Sequence, residues 1–401
     1  MPLVSKAFGD IITFTRASSA TFTGSNGLIQ SAAINAPRFD YDPVTLAAKG
    51  LLIEEQRTNL LTYSEDFSNA VWTKLRATVT ANSTTSPDGT ATADTLLDTA
   101  VAGTHIAIQT ITKAASAITY AASVWVKADV RNQGELRMSD QAGNGVRCTF
   151  NLTTGAVGAA TSFGAGFTAV TSQITAFANG WYLVVLVATS NTATTLGHEV
   201  YVADASGNTS YTGTGAGIFI WGAQLEAGAF ATSYIPTVAS QVTRSADVAS
   251  VNTLSPWYNA TEGTLYVEGS TLALASSHRI IAAFSDNTVS NTFELYRQAN
   301  SATSRLYMAA SGVLQADLLF ASVFNAGTNA KIAAAYKVND VAMTANAAAV
   351  QTDVTATVPV FTALGIGTRG TPGALIWGGH IRRITYYPRR LSNAELQAIT
   401  A

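Results

Sequence analysis

Apolar residues recur at every second position along most of this chain, in short runs broken by Gly, Asn, Asp and Ser. A period of two places alternate side chains on one face of an extended strand, and no helix can satisfy it. Ser123-Val124-Trp125-Val126-Lys127, His105-Ile106-Ala107-Ile108-Gln109 and His198-Glu199-Val200-Tyr201-Val202 all follow the pattern. Ser25-Asn26-Gly27, Ser86-Pro87-Asp88-Gly89 and Ala205-Ser206-Gly207-Asn208 separate such runs. Asn-Gly and Asp-Gly tolerate the positive φ angles of tight hairpins. The expected class is all-β: two antiparallel β-sandwich (jelly-roll) domains preceded by a small β-hairpin-rich N-terminal block.

With 401 residues, two or three domains are expected. Residues 1–62 hold a hairpin at Asn26-Gly27 and the run Gly50-Leu51-Leu52-Ile53. They contain too little core to stand alone and read as an attachment block docked on a neighbour. Residues 63–240 carry enough strand-length runs for a first sandwich. Residues 241–258 read as a connector, with Trp257-Tyr258 locking the two sandwiches. Residues 259–401 read as a second sandwich. One helix is signalled at the end, where Ser392 and Glu395 form a capping box ahead of Leu396. A helical turn from Ser64 is expected to bring Phe67 beside Val71.

Composition removes several function classes. Charged residues are 12% of the chain and the net charge is −2, so no field of one sign exists to hold nucleic acid or an anionic membrane. The apolar run Trp181 to Ala188 is strand-length, far short of the ~20 residues of a membrane helix, so no membrane insertion is expected. Met1 to Asp10 lacks the basic region and apolar core of a signal peptide. Cys148 is the single cysteine, which fits synthesis in a reducing cytoplasm. Neither Gly-x-Ser-x-Gly nor His-Glu-x-x-His occurs. His105, His198, His278 and His380 are scattered and read as ordinary sheet histidines. Gly365-x-Gly367-x-x-Gly370 runs into Thr371-Pro372-Gly373 and not a helix, so it is no dinucleotide loop. Glu54 and Glu55 face opposite ways on a strand, and Glu65/Asp66 suit a helix start. No metal, cofactor or catalytic residue is expected.

Several phrases carry a resemblance: Phe14-Thr15-Arg16-Ala17-Ser18, Pro37-Arg38-Phe39-Asp40, and Gly50-Leu51-Leu52-Ile53-Glu54-Glu55 running into Arg57-Thr58-Asn59-Leu60. Trp221-Gly222-Ala223-Gln224-Leu225-Glu226, Thr232-Ser233-Tyr234-Ile235-Pro236-Thr237 and Thr243-Arg244-Ser245-Ala246-Asp247 follow in order. Together they resemble bacteriophage head-spike or tail-fibre structural proteins. Phe150-Asn151-Leu152-Thr153-Thr154-Gly155 and Asn179-Gly180-Trp181-Tyr182 resemble carbohydrate-binding jelly rolls, with Leu183 where arginine is common. The closing Gly379-His380-Ile381-Arg382-Arg383-Ile384, with Leu391-Ser392 and Glu395-Leu396, resembles a concanavalin-like (laminin-G-type) sandwich. That fold usually has acids where Arg382 and Arg383 stand.

Two groups of residues are candidates for recognition. If Val124 and Val126 face the core, Trp125 stands on the outer sheet surface beside Lys127. There the indole suits stacking on a sugar and the ammonium suits its hydroxyls. The competing reading packs Trp125 under the N-terminal block or a neighbouring subunit. Arg382, Arg383, Arg389 and Arg390 form the densest positive cluster, suited to an anionic polysaccharide, a partner protein or a solvated edge. The resemblance implies a non-enzymatic surface protein of a tailed-phage virion, made in the host cytoplasm and adhering to host-surface glycans. Its expected partners are other virion structural proteins and copies of itself in a homo-oligomer, for instance a trimer. The alternatives are a glycan-degrading tail spike and a decoration protein without a receptor.

Overall fold

The computed structural model describes residues 8–273, 276–369 and 375–401. Among them the chain is all-β with antiparallel sheets, plus one capped helix at its end. Met1 to Ala7, and the Gly370 to Gly373 end of the glycine string, lie outside the described residues. Gly365 itself sits on the strand Ala363–Ile366.

The first sandwich pairs a six-stranded sheet with an eight-stranded one. In the six-stranded sheet Thr119–Ala128 lies between Trp181–Thr189 and Gly217–Ala227, and Thr168–Ala176 forms one edge. The opposing sheet is centred on Gln133–Ser139, Thr195–Val202 and Ala102–Thr112. Val124 and Val126 point between the sheets with Val184, Leu186, Leu136 and Val200, all fully buried. β-Branched side chains suit this pleated surface, and their burial is worth ~1.5–3 kcal/mol each. The hairpin at Asn26-Gly27 is present, joining Ala20–Thr23 to Ile29–Ala32, with Gly27 at φ 77°.

The second sandwich draws on both ends of the chain. One seven-stranded sheet runs from Thr13–Thr15 through Val248–Val251 and Ala363–Ile366 to the edge strand Val313–Phe320. The other ends in Ala48–Ile53 and Phe39–Tyr41, which extend Gly379–Tyr387. Phe14, Leu51 and Ile53 thereby share a core with Leu265, Phe284 and Phe293. Residues 8–62 therefore do not stand as a separate block: Thr13–Thr15, Phe39–Tyr41 and Ala48–Ile53 are built into the sheets of the second sandwich. Residues 241–258 likewise differ from a bare connector, because Val248–Val251 is a sheet strand and Val242–Arg244 pairs with Arg57–Asn59.

Two local expectations also change. No helix follows Ser64: Phe67 packs on Trp72 at 4.5 Å between ring centroids, and Val71 is exposed. Asp66 instead turns the chain by accepting from Ser68 and Asn69. Trp257 and Tyr258 do not lock the sandwiches together. They pack inside the second one, against Tyr386 and Phe284. The terminal helix Asn393–Thr400 has both bonds of its capping box.

Candidate functional site

The phrases from 14 to 247 meet at one buried ionic cluster between the sandwiches. Arg16 Nη1 donates to Asp247 at 3.1 Å, and Arg38 bridges Asp247 and Glu54, the latter at 2.7 Å. Arg244 reaches Glu54 at 2.5 Å, and Ser233 donates to the same carboxylate through Oγ (2.6 Å) and backbone N–H (2.8 Å). The five charged side chains are at most 1% exposed. Glu55 extends the cluster to Arg57 and Arg279, and Arg57 approaches Glu226 at 3.5 Å. Burial by itself raises the Glu54 pKa, but Arg244, Arg38 and the Ser233 donors outweigh it and hold the carboxyl at about 2. Buried charges persist only when paired and hydrogen-bonded. Here Asp247, Arg244, Glu226 and Arg279 are each paired with a residue more than 150 positions away, so the cluster ties the N-terminal segment to both sandwiches.

Trp125 is not exposed. Val124 and Val126 do face the core, so the indole does leave it, but into a second apolar layer. Ile29 of the hairpin, Trp181, Trp221 and Tyr234 cover it, leaving 3% exposed. Its ring meets Tyr234 at 5.2 Å and Trp221 at 5.4 Å, edge to face. A stacking platform needs a free face, and this one is occupied by protein. Lys127 lies half-buried near the strand's end, opposite Trp181 and Phe219.

The arginines do not form one patch. Arg389 binds Glu395 of the helix at 2.7 and 3.2 Å, and Arg390 binds Asp340 at 2.8 Å and Asn393 at 2.9 Å. These two anchor the helix start. Arg383 lies over the Tyr266 ring, and Arg382 is open to solvent with a 3.4 Å contact to Glu268. The histidines are also held: His105 by carbonyls of Arg76 and Tyr211, His198 by that of Ser123, His380 by Asp40 at 2.7 Å. Among the described residues no three His, Cys, Asp or Glu gather as metal ligands.

The face suited to a ligand is the outer side of the second sandwich's strand Thr292–Arg297 and its neighbours. Phe293 and Leu295 enter the core, so Glu294 and Tyr296 face outward. Tyr307 on the paired strand faces the same way and stands opposite Glu294. His278 stacks on Tyr296 at 5.0 Å and 21°, and Arg369 clamps Glu294 through Nε (2.5 Å) and Nη2 (3.0 Å). These residues line a cavity of about 280 Å³ together with Ile280 and Leu375. Burial raises the Tyr296 pKa, so its hydroxyl stays a donor. Tyr296 is itself buried, so the rings open to a ligand are the half-buried His278 and Tyr307, which beside a carboxylate and a guanidinium can take the apolar face of a ring and its polar rim together. The signal in sequence is the alternation Thr292-Phe293-Glu294-Leu295-Tyr296 with Arg305-Leu306-Tyr307, whose polar and aromatic members share one face.

No protein-family model matches the chain, and no curated protein matches it significantly. Among solved structures it is similar to the CBM40 domain of Ruminococcus gnavus IT-sialidase bound to α2,3-sialyllactose. That alignment has 18% identity and covers 36% of this chain and 84% of that one, with a TM-score of 0.32. It is similar to domains LG4-5 of the mouse laminin α1 chain at 9% identity, covering 74% and 88%, with a TM-score of 0.28. Chicken galectin 2 aligns at 12% identity over 34% and 97%, with a TM-score of 0.24.

Proposed function

We propose that the protein is a non-enzymatic adhesion protein that binds glycan on the outer face around Tyr296, Tyr307 and His278. One observation carries this reading: two tyrosines, a stacked histidine and the Glu294–Arg369 pair share a single cavity. A sugar ring stacks on the accessible aromatic edge while its hydroxyls bond to the carboxylate and guanidinium. The carboxylates singled out in sequence are occupied elsewhere: Glu54 and Glu55 by arginines, Glu65 by the Tyr234 hydroxyl at 3.1 Å. This supports binding over hydrolysis.

The finer part of the reading is a spike or fibre on the surface of a tailed-phage virion, presented in several copies beside other virion proteins. The motif phrases support it, and their convergence on one buried cluster gives them a physical reason to occur together. Multiple copies raise weak single-site binding by ~10²–10⁴. A glycan array probed with the oligomer, wild type against Tyr307→Ala and Arg369→Ala, tests the binding. Loss of the same spots in both variants is expected, and unchanged spots or none with wild type would leave a decoration protein. Reducing sugar released from host envelope polysaccharide would instead identify an enzyme. Antibody labelling of whole particles tests the location.

A further inference from the structure

We propose that the outer face of the first sandwich's eight-stranded sheet binds a vicinal diol of an uncharged cyclic polyol, a neutral sugar unit among them, between Glu135 and Arg147. A cavity of about 590 Å³ lies over the paired strands Gln133–Ser139 and Gly145–Asn151. Leu136 and Cys148 enter the core, so Glu135, Arg147 and Thr149 face outward and line this cavity. Thr161, Thr209 and Ser210, from two flanking segments, add hydroxyls to its walls.

Glu135 is the residue that calls for a ligand. It is 3% exposed, yet only one of its oxygens is engaged: Oε1 accepts from Arg137, while Oε2 has no hydrogen-bond donor among the described residues. Oε2 is not sealed in the core; it keeps accessible area where Glu135 lines the cavity. Glu199 on the neighbouring strand shows a carboxylate of the same face fully served: Ser139 and Gln141 donate to its Oε1, the latter at 2.7 Å, and Tyr201 to its Oε2 at 2.7 Å. A buried carboxylate left short of donors is unfavourable. The nearest cation to Oε2 is Arg147 Nη1 at 3.9 Å, too far for a hydrogen bond, and the Arg147 side chain is 46% exposed.

This gap selects its ligand. A hydroxyl both donates and accepts, so one of two vicinal hydroxyls donates to Glu135 Oε2 while the other accepts from the Arg147 guanidinium. An anion would gain Arg147 but meet Glu135, and a cation the reverse. Arg137 and Glu199 beside them add one charge of each sign, so the face favours neither. Water at the half-exposed Arg147 also screens the attraction of a free ion, which leaves the matching of donors and acceptors to decide.

The test is NMR of the ¹⁵N-labelled full chain, titrated with methyl glucoside, methyl galactoside and myo-inositol, and separately with glucuronate, glucosamine and glycine. The backbone amides of Thr149 and Ser210 report on the cavity in every variant. Saturable shifts at both are expected with at least one neutral polyol. Affinity should fall about tenfold in Glu135→Gln and in Arg147→Ala, the loss of one hydrogen bond to a charged group. Glu135 also holds Arg137, so Arg147→Ala, which removes a half-exposed side chain, keeps the test open if Glu135→Gln does not fold. Equal binding of inositol and the glycosides would assign the site to cyclic polyols in general, and a preference for the glycosides to sugars; both support the diol. No shift with any neutral polyol would overturn the proposal, as would binding that Arg147→Ala leaves unaltered. Tenfold tighter binding of glucuronate, glucosamine or glycine would overturn it too, by showing that charge and not the diol is read. Tyr307→Ala, which removes the contact proposed on the second sandwich, should leave these shifts unchanged, so the two readings fail separately.

Discussion

Glu54→Gln should loosen the joint between the two sandwiches, and its size follows from the charges around the carboxylate. Glu54 is fully buried, accepts from Arg38, Arg244 and Ser233, and is held at about 2 against an ordinary 4.5. At roughly 1.4 kcal/mol for each pH unit, that difference corresponds to about 3 kcal/mol of stability at neutral pH. Mutational losses of one partner in a buried pair run to ~3–5 kcal/mol, because the remaining charge is left uncompensated. Arg244 would be so left here, whereas Arg38 keeps Asp247. For domains of this size 1 kcal/mol moves the melting temperature by ~2–4 °C, giving a drop of roughly 6–12 °C by calorimetry. The pH dependence has a definite sign. A depressed carboxylate contributes fully above its unfolded pKa and loses its contribution as pH falls toward about 2. Wild type minus Glu54→Gln should therefore be flat above pH ~5 and shrink through the window from ~4.5 to 2. Using the difference cancels Asp98, which also titrates at about 2: burial opposes its ionisation, but Arg131, Tyr211 and loop N–H groups prevail. A variant within about 1 kcal/mol of wild type, with a parallel pH profile, would refute the assignment of the cluster as the joint.

Three other outcomes follow from the same packing. Trp125→Ala should destabilise the fold by ~3–5 kcal/mol in urea melts, because its ring is enclosed by Trp221, Tyr234 and Ile29; a loss under 1 kcal/mol would mean the layer over it is open in solution. His198 is fully buried, and burial lowers its pKa to about 4. It should stay neutral by NMR down to that pH, with its contribution present above ~6.5 and lost as pH falls toward 4; a midpoint near 6.5 would contradict the buried site. Deleting residues 1–62 should yield insoluble protein or a second sandwich that exchanges its core amides rapidly, since Phe14, Leu51 and Ile53 leave its core; a stable 63–401 fragment would contradict the shared core.

How much the residues announced depends on the range of the interaction. The all-β class, the Asn26-Gly27 hairpin and the Ser392–Glu395 capping box are set by neighbours within a few positions, and each was legible. Alternation also divided every strand into two faces. It did not say which face is covered, or by what. Val124 and Val126 were placed correctly in the core. Yet that placement left Trp125 either open to a ligand or packed under the N-terminal block, and it is roofed by that block's hairpin, which begins about a hundred residues earlier in the chain. On Ala102–Thr112 the face carrying Ala107 and Ile111 turns inward, so His105 and Gln109 are buried, bonded to Arg76 and to the backbone of Thr62. The motif phrases gave their order but not their purpose. Arg16 and Asp247 are 231 residues apart, and only the closed fold brings them to 3.1 Å. Periodicity is a local property of the backbone and is written in the sequence. Burial is decided by whichever distant segment arrives to cover a face, and so belongs to the tertiary structure.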